Sequence, residues 1–97
     1  MRQGTITKTK VKESKPDTAV VETARVILLN DDLHTFDEVI HQLVLAINCS
    51  AERAEEMAYT VHFTGQCEVF AGPMEDCLEV SAILEDIDLR TEIRFGV

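Results

Sequence analysis

VILLNDD, residues 26–32, sets four aliphatic side chains directly against an amide and two adjacent carboxylates. A short continuous run of branched apolar residues with so abrupt a polar stop suits a central strand of a sheet. Ala24 to Leu29 is therefore predicted as the first strand, and the fold is decided by the elements on its C-terminal side.

Thr35-Phe36-Asp37-Glu38 has the form of a capping box, with the Thr35 hydroxyl receiving the third helical amide and Glu38 reaching back. Asp37 and Glu38 also suit the positive end of a helix dipole. Phe36, Val39, Ile40, Leu43, Val44 and Ile47 then recur at three and four residues, which gives a first helix one apolar face. Ser50 starts a second helix with Ala51, Ala54, Met57, Ala58 and Val61 on one side and Glu52, Glu55 and Glu56 opposite. Gly65 supplies its left-handed stop. Gln66 to Phe70 reads as a second strand, with Cys67, Val69 and Ala71 on one side. Gly72-Pro73 opens a third helix, Pro73 standing in its first turn where a missing amide does no harm. Met74, Cys77, Leu78, Ser81 and Leu84 form the expected inner face. Leu89 to Phe95 alternates as a last, half-exposed strand. The order βααβαβ predicts an α+β fold, a small three-stranded antiparallel sheet covered on one face by three helices.

Upstream, residues 1–23 are rich in Thr and Lys, contain Pro16 and show neither periodicity. They are expected to form a disordered N-terminal extension, because they cannot bury enough apolar surface to offset the entropy of ordering. Residues 24–97 are then the folded domain. With 97 residues, 45% of them hydrophobic, the chain has material for one small domain.

No apolar run approaches the roughly 18 to 20 residues that span a bilayer, and MRQGTITKTK has no stretch resembling a secretory core. A cytoplasmic protein without membrane association is expected, and a monomer. Cys49, Cys67 and Cys77 are odd in number and form no CxxC pair, which disfavours a disulfide framework or a thiolate zinc site. The net charge is −9, and residues 1–23 carry +2 of it, so residues 24–97 hold −11. Such a surface repels nucleic acid and anionic lipid and attracts cationic groups.

The polar residues that periodicity does not explain are Asn30, Asp31, Asp32, His34, His41 and His62. Singly, none is persuasive: Asp31-Asp32 before a helix is ordinary turn chemistry, and His62 beside Ala58 and Val61 suits a packed helix end. Together they allow several chemistries. Asp31 or Asp32 with His62 could act as an acid–base pair, but no nucleophile stands in a recognisable setting. His34, Asp31, Asp32 and His62 could share a divalent ion, though the spacing matches no closed site. A phosphate site is disfavoured by the local charge and by the lack of a glycine-rich loop before a helix. Alternatively, a protonated amine offers three donors to an amide oxygen, a carboxylate and a neutral imidazole nitrogen. If the second helix crosses the end of the first strand, Leu28, Val39, Ala58 and Val61 would form an apolar pit beside those acceptors.

VILLNDD with Thr35-Phe36 after it, then VHFTG at residues 61–65, resembles the ClpS adaptor family over roughly residues 24–95. The resemblance implies an adaptor rather than an enzyme, needing no cofactor or metal. It implies binding of a free N-terminal Leu, Phe, Tyr or Trp and delivery to a Clp-family AAA+ unfoldase, ClpA-like or ClpC-like, and its protease. By that resemblance Asn30, Asp32 and His62 contact the α-amino group, Asp31 supports the substrate backbone, and His34, Phe36, Val39, Ala58, Val61 and Leu89 line the side-chain pocket with Leu28. The N-terminal extension would engage the unfoldase during transfer, and Glu75 matches an acidic contact residue for it.

The chain departs from the family pattern in three places. Thr35-Phe36 stands where many members have Pro-Met, Ala58 replaces a common pocket methionine, and Val80 occupies the place of a lysine on the unfoldase-facing surface. The first two changes imply a reshaped entrance and a larger pocket; the last leaves the choice of unfoldase open.

Overall fold

The computed structural model describes residues 23–95, and in it the aliphatic run becomes β1 (Thr23–Leu29), the middle strand of a sheet of order β2-β1-β3. Both neighbours run antiparallel to it. The full order is β1, α1 (Phe36–Ile47), α2 (Ala51–Thr64), β2 (Gln66–Pro73), α3 (Met74–Glu85) and β3 (Arg90–Phe95). This is the expected α+β arrangement. Thr23 is already paired, opposite Pro73; the extension expected over residues 1–23 otherwise lies outside the described residues.

A strand paired on both sides has no free edge, and its alternate side chains reach opposite faces. Ala24, Val26 and Leu28 point under the helices and are almost wholly buried, where they meet Leu43, Ala54, Met57, Val61, Cys77 and Leu84. α2 packs on β2 and α3 on all three strands, while α1 leans on both other helices.

The local signals at the helix ends do what their chemistry predicts. Thr35 Oγ1 accepts from the Glu38 amide at 3.1 Å while Glu38 Oε1 accepts from the Thr35 amide at 2.8 Å, so the capping box is complete. Ser50 Oγ accepts from the Arg53 amide at 3.0 Å, and Gly65 closes α2 at φ 93°. A Cβ on Gly65 would meet nothing within 4 Å, so conformation alone requires the glycine here.

Two expected faces need correction. In β2, Val26 lies opposite Phe70 but Ile27 lies opposite Glu68, so Val69 is the extra residue of a bulge. The alternation resets there: Phe70 turns toward the core with Val69, and Ala71, expected beside Cys67 and Val69, is exposed. In α3, Pro73 ends β2 and precedes the first helical residue rather than occupying it. The buried face is Cys77, Val80, Ser81 and Leu84, an i, i+3, i+4, i+7 set, while Leu78 is 55% exposed. Val80, read as standing in for a surface lysine, is therefore a core residue, whereas Glu75 is exposed.

The burial pattern sets a contrast that urea unfolding can measure. Leu43→Ala is expected to cost about 2 to 5 kcal/mol, because a fully buried side chain leaves a cavity, whereas Leu78→Ala should stay within about 0.5 kcal/mol.

Candidate functional site

β1 ends at Leu29, and the next residue is fixed by its backbone on two sides. The Asn30 amide donates to the Gly65 carbonyl at 3.0 Å, and the Asn30 carbonyl accepts from Arg90 Nη2 at 2.8 Å. The NDD turn is thereby tied both to the end of α2 and to the start of β3. This joins the two sequence motifs in space.

The loop then closes on itself. Asp31 Oδ1 accepts from the amides of Leu33 and His34 at 2.9 and 3.1 Å, and Asp31 Oδ2 receives His34 Nδ1 at 2.8 Å. His34 Nε2 donates across the fold to the carbonyl of Ile87, 53 residues away, in the loop between α3 and β3. A carboxylate and a carbonyl are both acceptors, so the ring satisfies them only by carrying both protons. His34 is thus a nearly buried imidazolium, with side-chain exposure of 10%. The Ile87 carbonyl has the largest influence and, with Asp31 and a weaker pull from Glu38, raises its pKa above the ordinary value against the opposing effect of burial. Burial pushes the Asp31 carboxyl up, but the Leu33 amide, the His34 ring and the His34 amide together hold it below its usual value.

Between this loop and α2 lies a cavity of about 260 Å³. Its apolar wall comes from Leu28, Val39, Ala58, Val61 and Leu89, and its polar side from Asn30, Asp31, His34 and His62, with Leu29, Thr35 and Phe36 completing the lining. The volume falls below the roughly 300 to 1,000 Å³ of a small-molecule or cofactor site and suits one side chain. Each element contributes for a local reason: strand alternation aims Leu28 inward, the buried stripe of α2 carries Ala58 and Val61, and Leu89 immediately precedes β3, two residues after the Ile87 contact. A larger, open depression of about 630 Å³ lies against Glu85, Asp88, Arg90, Thr91 and Glu92. It shares only Leu29 and Leu89 with the cavity.

Of the eleven expected site residues outside α3, ten border this one cavity; Asp32 is exposed and does not line it. His41 lies elsewhere, exposed on α1. Among the described residues no three His, Cys, Asp or Glu side chains converge as a metal-binding group. His34 has no free ring nitrogen for proton transfer, since both are engaged. The Asp31-x-x-His34 spacing could have signalled their pairing. Arg90, which holds Asn30 from 60 residues away, carried no such signal.

The family model for the ATP-dependent Clp protease adaptor protein ClpS matches residues 20–92. The chain belongs to the ClpS family, adaptor proteins of the ATP-dependent Clp protease. It is 44% identical over 52 residues to the ClpS adapter of Thermosynechococcus vestitus, covering 53% of this chain and 55% of that one. Against the ClpS adapter of Treponema denticola the identity is 48% over 48 residues, covering 50% and 48%. The chain thus spans about half the length of these relatives. It is also 32% identical over 78 residues to the human E3 ubiquitin-protein ligase UBR2, which covers 77% of this chain and 4% of that protein. Among solved structures, Agrobacterium tumefaciens ClpS2 bound to L-phenylalaninamide has a TM-score of 0.75 at 18% identity, covering 79% of this chain and 100% of that one. At that identity the likeness is one of fold. No helix among the described residues is long and apolar enough to cross a membrane.

The Asp31–His34 pair makes stability depend on pH with a defined sign. A raised histidine pKa contributes stability that is full below the ordinary value of about 6.5 and is lost as pH rises through the folded-state value. The lowered Asp31 pKa contributes stability present above about 3.9 and lost as pH falls through its folded-state value. His34→Ala should therefore cost most near pH 5 to 6, about 2 kcal/mol, and progressively less toward pH 9. Urea unfolding of both proteins across that range reads the difference.

Proposed function

We propose that this chain binds the free α-amino group and the bulky hydrophobic first side chain of a substrate protein and delivers it to a Clp-family AAA+ unfoldase and protease. The observation that carries this reading is the junction of an apolar, side-chain-sized cavity with hydrogen-bonding groups along one side of it. A protonated amine has three N–H donors and no acceptor, so it needs acceptors converging from different directions. The Asn30 amide oxygen is offered just past the end of β1 and a His62 ring nitrogen in the last turn of α2.

Asp31 plays a different part from a free carboxylate. Three of its roughly four acceptor positions are taken by the Leu33 and His34 amides and the His34 ring. It therefore fixes the loop first and has one position left for a substrate group. Its charge is offset by the His34 imidazolium, which leaves exposed Asp32 as the net negative charge of the turn, drawing the ammonium to the mouth.

Leu28, Val39, Ala58, Val61 and Leu89 take up the first side chain, with Phe36 at the entrance. Burying one such side chain contributes about 1.5 to 3 kcal/mol. Ala58 sets the depth, and a pocket without a longer side chain there admits Phe, Tyr and Trp as well as Leu. The homology to ClpS adapters supports delivery to a Clp-family unfoldase. Exposed Glu75, in the first turn of α3, is the proposed contact with it.

Fluorescence anisotropy with peptides differing only at the first residue tests the binding step. Free Leu and Phe peptides are expected to bind, their acetylated forms not to bind. Asn30→Ala and His62→Ala should each weaken binding by about tenfold or more, since a hydrogen bond to a charged group contributes about 1.5 to 3 kcal/mol. Equal affinity for acetylated and free peptides would sink the proposal. Ala58→Met should reduce binding of Trp and Phe peptides more than that of Leu peptides, by filling the deep end of the pocket.

A further inference from the structure

Three of the chain's five aromatic side chains stand outside the core and gather at the mouth of the cavity. Phe36 is 37% exposed, Tyr59 46% and Phe63 74%. They form a connected series: Phe36 and Tyr59 have ring centroids 4.8 Å apart, and Tyr59 and Phe63 lie nearly parallel at 6.1 Å. The buried stripe of α2 is Ala54, Met57, Ala58 and Val61. Tyr59 and Phe63, four residues apart, make a second apolar stripe on the side of the helix that the core does not use.

His62 sits inside this series. Its ring stands at a steep angle to those of Phe36 and Phe63, with centroids 5.1 and 4.8 Å apart. We infer that the ladder Phe36–Tyr59–Phe63 receives the second side chain of the bound protein N-terminus and favours an aromatic or large aliphatic residue there. This rests on the proposed binding of a free amine at Asn30 and His62.

Reach along the bound chain supports this placement. Consecutive Cα atoms are about 3.8 Å apart, and side chains of an extended chain alternate in direction. With the amine bonded at His62 and the first side chain in the cavity, the second points away from it, across the rim. Because His62 contacts both Phe36 and Phe63, a second residue beside it lies within one side chain's reach of the ladder. The ring faces offer apolar contact to any flat or branched side chain. They are also contiguous with the pocket, since Phe36 belongs to both.

Two peptides that begin Leu-Phe and Leu-Ser and are otherwise identical test the inference, with the full chain and with Tyr59→Ala and Phe63→Ala. Neither substituted residue lines the cavity. The Leu-Phe peptide is expected to bind about two- to tenfold more tightly than Leu-Ser, the range of an added aromatic pair. Each variant should remove that difference while leaving the Leu-Ser affinity in place. Equal affinities for the wild-type chain overturn the inference and leave the first-residue pocket standing. Equal weakening of both peptides by Phe63→Ala also overturns it, assigning the ring to holding His62. Self-association lost in Phe63→Ala assigns the ladder to a second copy and overturns it likewise. If neither free peptide binds, the proposed function fails, and this inference with it.

Discussion

The hydrogen bond from the Asn30 amide to the Gly65 carbonyl is the contact on which the site depends. It joins the residue just past β1 to the residue that terminates α2, and so brings two stretches 35 positions apart into one wall. Gly65 is suited to both tasks. Its left-handed conformation ends the helix, and the same turn leads into β2, whose first residue pairs with Leu29. Once that register is set, Leu28 must face inward and Asn30 must stand at the rim, because a strand alternates with a period of two.

A second constraint is electrostatic. The loop from Asp31 to His34 has little apolar material of its own that is buried, and Leu33 is 84% exposed. It is held instead by a carboxylate that accepts from two amides and one ring, and by that ring's second proton given to the Ile87 carbonyl. The bond to Ile87 anchors the loop of the NDD motif to the connection between α3 and β3, and so ties the rim that carries Asn30 to the segment that carries Leu89. The arrangement holds two charges largely away from water, which is tolerable because each is paired and hydrogen-bonded.

The strands and helices were legible because each is written in local chemistry: the Thr35 to Glu38 box, the Ser50 cap, the Gly65 stop, and apolar residues recurring at 3.6 or 2. The errors came where a non-local event changed the period. One extra residue at Val69 resets β2 and turns Ala71 out and Phe70 in; nothing in Gln66 to Pro73 announces it, since a bulge is defined only against the partner strand. On α3 the choice between Leu78 and Val80 for the buried face was wrong for a similar reason. Both are aliphatic, and only the position of the sheet decides which of two overlapping stripes is covered.

The site divides along the same line. By itself the sequence placed Leu28, Val39, Ala58 and Val61 around an apolar pit beside Asn30 and His62, because strand alternation and the helical stripes constrain a side chain's direction locally. His34, Phe36 and Leu89 were expected there by resemblance, and Asp32, expected with them, does not line the cavity. Tertiary structure decided what those residues do to one another. That His34 carries both protons, that Arg90 holds Asn30 in place and that Phe36 packs against His62 depend on distances between segments that only the fold sets. The protonation of a ring depends on which acceptors surround it, and here those acceptors, Asp31 and Ile87, are far apart in the sequence.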